Sequence, residues 1–297
     1  MGELKHQVVN DPTHNYLRLD PIPSREEVDK LYLDEFYAQN TAYFNNSSLE
    51  TQIEQSEYQR SRWQRNLDLY RQFRPDLTHS DPSVFDIGFG FAQALLFFRE
   101  NGFQVSGLEP SSEGVAYARE RGINAFQMGI ENLNELDVQK QDLILFLNVL
   151  EHLREPAKTL HRIRDKLMHD RSVLVVEVPN DFNDFQIAAN DEFDLEEWWV
   201  LAPNHINYFS HTSLKILLEQ CGYKILHNEA SFPLELFLLF GDVYIGDGAL
   251  GKSCHDKRVA FESRLEKHGK SEKLNRFNQA MADLDLGRSA IVYATPA

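Results

Sequence analysis

"VFDIGFGFAQA", residues 84–94, is a short apolar run that ends at a glycine and passes directly into a helix-forming segment. A strand that stops in such a turn leaves the first backbone N–H groups of the next helix free to bind polar groups of a ligand. The dinucleotide form of the turn reads G-x-G-x-x-G. Gly88 and Gly90 fit it, but Gln93 stands where the third glycine belongs. Asp86 lies just before the turn, where a carboxylate repels a pyrophosphate and suits an ammonium or sulfonium group. The residues therefore point away from NAD.

The segments downstream alternate strand and helix. "FAQALLFFRENG" reads as a helix stopped by Gly102, "FQVSGLEP" as a second strand, and "SSEGVAYARERG" as a helix with serines at its start and Gly122 at its end. "INAFQMG" and "QDLILFLNVL" supply a third and a fourth strand. "EPAKTLHRIRDKL" is a helix with Pro156 in its first turn and Leu160, Ile163 and Leu167 on one face, and "RSVLVVEVPN" is a fifth strand. Apolar strands alternating with amphipathic helices predict a parallel sheet covered on both faces. Glu109 closes the second strand 21 residues after Gly88, where an acid accepts hydrogen bonds from ribose hydroxyls. That position serves NAD and S-adenosylmethionine equally.

Four regions separate around this pattern. Residues 1–80 begin polar and become helical, with Trp63, Leu67, Tyr70 and Phe73 at helical spacing, and are expected to form an N-terminal helical cap. Residues 81–233 form the cofactor-binding core. Within it, 179–209 is an irregular stretch rich in aromatic and acidic residues, of the kind that forms a substrate loop. Residues 234–286 read as a helical insertion, and 287–297 as a final core strand.

Composition narrows the function classes. Lys and Arg number 30 against 46 Asp and Glu, a net charge of −16 that repels phosphate backbones and anionic lipid. Nucleic-acid and membrane partners are not expected. The two cysteines, Cys221 and Cys254, form no CxxC or Cys/His cluster, so neither a disulfide framework nor structural zinc is expected, nor any other metal. The N-terminus has no apolar core of signal-peptide length, and no later stretch approaches the ~18 apolar residues of a membrane span, so a cytoplasmic location is expected.

Four segments in register, "VFDIGFGFA" at 84–92, "GLEPS" at 107–111, "FQMGIENL" at 126–133 and "DLILFLNVLEHLREP" at 142–156, resemble the class I S-adenosylmethionine-dependent methyltransferases, nearest to those of small-molecule and saccharide pathways. In that family the first turn more often reads D-x-G-x-G-x-G, so Ala92 stands for its last glycine. The resemblance implies a Rossmann-like fold with a mostly parallel seven-stranded sheet, helices on both faces, and S-adenosyl-L-methionine as cofactor. It implies that Asp86, Gly88 and Gly90 flank the methionine part and that Glu109, followed by Pro110, holds the ribose. It also implies that Gly129 and Ile130 lie near the adenine, and Asn148 near the methionine part.

Methyl transfer from a sulfonium mainly requires alignment, plus removal of a proton where the nucleophile carries one. His205 and Tyr208 in "APNHINYFS" resemble the "YHEHxxYFS" stretch of deoxysugar C-methyltransferases, whose second His is the base. His205 keeps that place, while Ala202, Pro203 and Asn204 replace the Tyr, His and Glu before it. The alternative for His205 is a structural histidine anchoring the loop. His152 in "VLEHL" is a second acid–base candidate, with Glu151 as its structural partner. Trp198 and Trp199 offer an aromatic wall for a sugar-like acceptor, or pin the loop to the core. The lead-in "RLDPIPSREEVDKLYLDEFY" resembles that of saccharide-pathway methyltransferases without their cysteine module, and Tyr32, Tyr37 and Tyr43 are candidates to close over the cofactor.

"GDGALGKS" at 246–253 matches the P-loop pattern, but no second nucleotide-binding sheet fits in the residues that follow. The expectation is a methyltransferase acting on a small molecule of the kind to which sugars and sugar nucleotides belong. The alternatives are an NAD(P)-dependent oxidoreductase, which lacks its third glycine, and a non-catalytic binding subunit, which would not be expected to keep Asp86, Gly88, Gly90 and Glu109.

Overall fold

The computed structural model describes residues 6–31, 49–75 and 81–297. Tyr32, Tyr37 and Tyr43 lie outside the described residues. In chain order the elements are β1 (Gln7–Asn10), β2 (Leu17–Asp20), α1 (Arg25–Leu31), α2 (Leu49–Glu54), α3 (Ser56–Phe73), β3 (Ser83–Ile87), α4 (Gln93–Glu100), β4 (Gln104–Glu109), α5 (Ser112–Glu120) and β5 (Asn124–Gln127). There follow β6 (Gln141–Leu147), α6 (Pro156–Leu167), β7 (Met168–Pro179), α7 (Asp184–Phe193), β8 (Asn207–Tyr208), α8 (His211–Gln220), β9 (Tyr223–Ala230), α9 (Glu235–Leu239), α10 (Gly248–Lys267), α11 (Ser271–Asp283) and β10 (Ser289–Pro296).

The main sheet has seven strands in the order β5-β4-β3-β6-β7-β10-β9. β3 is central, with parallel neighbours that set Asp86 opposite Gly107 on one side and Leu145 on the other. β10 alone runs against its neighbours and inserts between β7 and β9, with Val292 facing both Val176 and Asn228. The strands carry apolar residues on both faces because both faces are covered. Phe85, Ile87, Ile144 and Val176 pack towards α6 and α8, while Val84, Leu143, Val175 and Ile291 pack towards α3, α4 and α5. The expected sheet, with helices on both faces, is the observed one.

Two regions differ from expectation. The N-terminal region is not purely helical, because β1 and β2 pair as a hairpin and β2 pairs with β8 to make a second, three-stranded antiparallel sheet. Short strands of mixed polarity carry little periodic signal, and the partner β8 lies far along the chain. The stretch 179–209 is not wholly irregular, since α7 occupies Asp184–Phe193. Its start is a capping box: the Asn183 side chain accepts from the Phe185 and Gln186 N–H groups, while the Gln186 side chain bonds back to the Asn183 backbone. Residues 234–286 hold α9, α10 and α11, and the P-loop lookalike is the start of α10, with Asp247 as its cap. No strand leads into it, and Lys252 pairs with Asp256 in solvent. Among the described residues no helix is long and apolar enough to cross a membrane.

Candidate active site

The site grows from the carboxyl ends of β3, β4, β6 and β7, where strand ends and helix starts leave backbone groups unpaired. After β3 the chain turns through Gly88 at φ +77°, Gly90 at φ +54° and Ala92 at φ +56°. Two of these left-handed positions are glycines, as steric clash with Cβ requires; Ala92 carries the conformation as the residue that caps α4. The turn is held from β4: Glu109 Oε2 accepts from the Gly90 N–H at 2.9 Å, and Oε1 accepts from the Ser111 N–H at 2.9 Å. Gly114 in α5 lies against the turn so closely that a Cβ there would collide with the Gly90 carbonyl. Sequence periodicity gave no hint of that contact.

Asp86 and Glu109 are both buried, 5% and 7% exposed. Burial, reinforced by Glu109, pushes the Asp86 carboxyl up to about 7, and burial also raises Glu109 against the pull of its two N–H donors. Two buried acids therefore stand beside the glycine turn, where a positively charged, hydroxyl-bearing ligand would meet both.

The remaining cofactor candidates fall around this turn. Pro110 is exposed in the loop after β4, and Gly129 caps a 3-10 turn at Ile130–Glu135 in which Ile130 is buried. Asn148 follows β6 at φ +55°, exposed, with its N–H bonded to the Glu177 carbonyl at 2.8 Å. Two contacts were not legible beforehand. Gln52 from α2 lies over the turn, its Oε1 3.4 Å from the Phe91 N–H. Arg25 of α1 pairs with Glu131 at 3.0 Å, tying the N-terminal segment to the Gly129 side of the site.

Beside Asn148 a polar cavity of about 120 Å³ opens between α3, the sheet and the α10–α11 pair. Its floor is Glu177 of β7 and Glu229 of β9, its α3 wall brings Arg62 and Arg65, and α11 adds Asn275 and Asn278. Arg62 pairs with Glu177 at 2.5 Å and Arg65 with Glu229 at 2.8 Å. The Asn278 Oδ1 is buried without a partner. These residues were missed because helical spacing singled out Trp63, Leu67 and Tyr70, leaving the intervening arginines to solvent. The usable signal was an acid inside each of two apolar strands, "VLVVEVPN" and "YKILHNEASF".

The acceptor-side candidates assemble elsewhere, at the end of β6 next to the three-stranded sheet. His152 and His205 lie together, ring centroids 5.0 Å apart and edge to face. Burial, with His152 close by, lowers His205 to about 3, and burial lowers His152 as well, which favours the neutral form of each ring. Tyr208 is buried and donates its hydroxyl proton to the His205 carbonyl at 3.0 Å. Trp199 is buried and Trp198 half-buried; they meet edge to face at 4.6 Å, and Trp199 also meets Phe182. Neither tryptophan lines the polar cavity.

The family model "Methyltransferase domain" matches residues 55–228, more than half of the chain. Among solved structures, a SAM-dependent methyltransferase from Archaeoglobus fulgidus is 17% identical with a TM-score of 0.52, covering 84% of this chain and 100% of that one. The plantazolicin methyltransferase BamL, crystallised with a triazolic desmethylPZN analog and SAH, is 15% identical with a TM-score of 0.54, covering 90% of this chain and 93% of that one. At these identities the likeness is one of fold. No curated protein matches.

Proposed function

This chain belongs to the methyltransferase-domain family and is an S-adenosylmethionine-dependent methyltransferase, and on that premise we propose that its acceptor is a small polar molecule of the sugar or sugar-nucleotide class. The observation that carries this is the polar cavity beside Asn148, where paired arginines and acids and two asparagines offer donors and acceptors for several hydroxyls.

In this proposal Asp86, Gly88 and Gly90 surround the methionine part of the cofactor, and Glu109 with Pro110 takes the ribose. Gly129 and Ile130 border the adenine, and Asn148 stands between cofactor and acceptor. The cofactor's cationic end compensates Asp86. The chain's own work is alignment: the turn and Glu109 fix the cofactor, and the cavity fixes the acceptor.

His205 and His152 take acceptor-side places, although their depressed basicity makes them weak proton acceptors and leaves their lone pairs as the chemistry on offer. Tyr208 is a positioning residue that holds the His205 backbone. Trp198 and Trp199 fasten the loop. The chain divides into an N-terminal region 1–80, core 81–233, insertion 234–286 and final strand 287–297, with the insertion acting as the cavity's roof. A location in the cytoplasm, without nucleic-acid or membrane partners, remains part of the proposal and agrees with the acidic charge balance.

The test is calorimetric titration with S-adenosylhomocysteine, followed by transfer of labelled methyl to a panel of sugar nucleotides, free sugars and peptides. Saturable binding and label in a sugar-bearing product are expected. No heat of binding sinks the cofactor assignment, and label only in peptides sinks the acceptor assignment.

A further inference from the structure

Glu151, His152 and His205 form a compact side-chain cluster whose joint arrangement methyl transfer by alignment does not require. One ligand-type atom from each lies within 4.8 Å of the other two. Glu151 is 2% exposed, and its Oε2 has no hydrogen-bond partner. That carboxyl is therefore shut away from water with one oxygen unmet, a costly arrangement unless something binds it.

His152 is oriented as a metal ligand is. His152 Nδ1 lies 2.9 Å from the Asn204 carbonyl, which can only accept, so Nδ1 carries the proton and Nε2 keeps its lone pair. That Nε2 is 3.8 Å from Glu151 Oε1. A ring nitrogen fixed by a backbone carbonyl is the usual support behind a metal-bound imidazole. The Nδ1 of His205 is buried with no partner at all. Ligand atoms bound at ~2.1 Å stand roughly 3.0–3.5 Å apart, so side-chain shifts of about an ångström bring the three onto one ion.

We propose that Glu151, His152 and His205 bind one divalent transition-metal ion of the zinc type. Two imidazoles and a carboxylate select Zn²⁺ and its first-row neighbours over Mg²⁺ and Ca²⁺, which prefer all-oxygen shells. Bound there, the ion takes a carboxylate oxygen of Glu151 and one ring nitrogen from each histidine. Three protein ligands leave a position open for water or an acceptor oxygen. Only that last role rests on the methyltransferase assignment; the site itself does not.

The experiment uses the full-length, untagged protein, stripped with chelator and dialysed separately against Co²⁺, Zn²⁺ and Mg²⁺. Metal per chain is measured after gel filtration, with the visible spectrum of the cobalt form. About one equivalent of Co²⁺ and of Zn²⁺ is expected, falling ~10-fold or more in H152A and H205A. The chain has 11 histidines, so H268A, at an exposed position, serves as control and keeps the metal. S-adenosylhomocysteine titration on the same samples reports folding and the cofactor assignment separately. Should H205A fail to fold, E151Q and H205Q take its place. Cobalt bound by a chain that ignores S-adenosylhomocysteine supports the site and counts against the cofactor assignment. The proposal is overturned if the wild type binds S-adenosylhomocysteine but holds under ~0.2 equivalents of either metal, if only Mg²⁺ binds, or if both His variants retain the ion.

Discussion

Asp86 is the residue on which cofactor choice and pH response meet. Folding raises its pKa from 3.8 to about 7, so the unfolded chain gives up this proton at lower pH than the folded one. Its burial therefore costs stability as pH rises above about 4, and the penalty is complete only above about 7. In the absence of cofactor, D86N should gain on the wild type as pH rises from about 5 to about 8, read as the urea midpoint at each pH. A cationic ligand needs the ionised form, so S-adenosylmethionine should bind ~3- to 10-fold more tightly at about pH 8 than at about pH 6. Calorimetry should show that slope vanish in D86N, with binding ~10-fold weaker or worse. Gly114 offers a steric counterpart. G114A pushes a Cβ into the Gly90 carbonyl, and should lower stability by about 1–3 kcal/mol while loosening the cofactor turn.

At the scale of elements, α3 shows how one helix serves both core and site. Its Trp63, Leu67 and Tyr70 stripe is buried against α4 and the sheet, and was plain from spacing. Its Arg62 and Arg65 lie on the flank beside the cavity and pair with acids of β7 and β9. Replacing Arg62 by Met strands the Glu177 carboxylate and should cost about 3 kcal/mol, whereas R62M/E177M together should cost less than the sum of the singles in a denaturant double-mutant cycle. In α7 the Asn183 cap was written in the sequence as N-D-F-Q, yet the surrounding acidic and aromatic residues masked the helix. N183A should cost about 1 kcal/mol, measured by chemical denaturation, with the N183D variant restoring most of it.

At the scale of the molecule, the last element in sequence occupies an interior place in the sheet. β10 fills the slot between β7 and β9, so removing residues 287–297 exposes two strand edges and uncovers the core that Ile291 and Tyr293 fill. The truncated chain should lose its cooperative thermal transition rather than merely its activity, as circular dichroism would show. The sequence by itself determined the strand–helix alternation, the glycine turn with Asp86 and Glu109, and the helical nature of the insertion, because local period, glycine spacing and caps act over a few residues. It could not show that β2 pairs with β8, that Arg62 and Arg65 reach acids more than a hundred residues away, or that Glu151 and His152 face His205. Those contacts depend on long-range closure of the chain, and their partners are chosen by burial and charge across the fold. Local pattern identified the cofactor turn; tertiary packing alone gathered the buried carboxylate and two imidazoles and the cavity around Glu177.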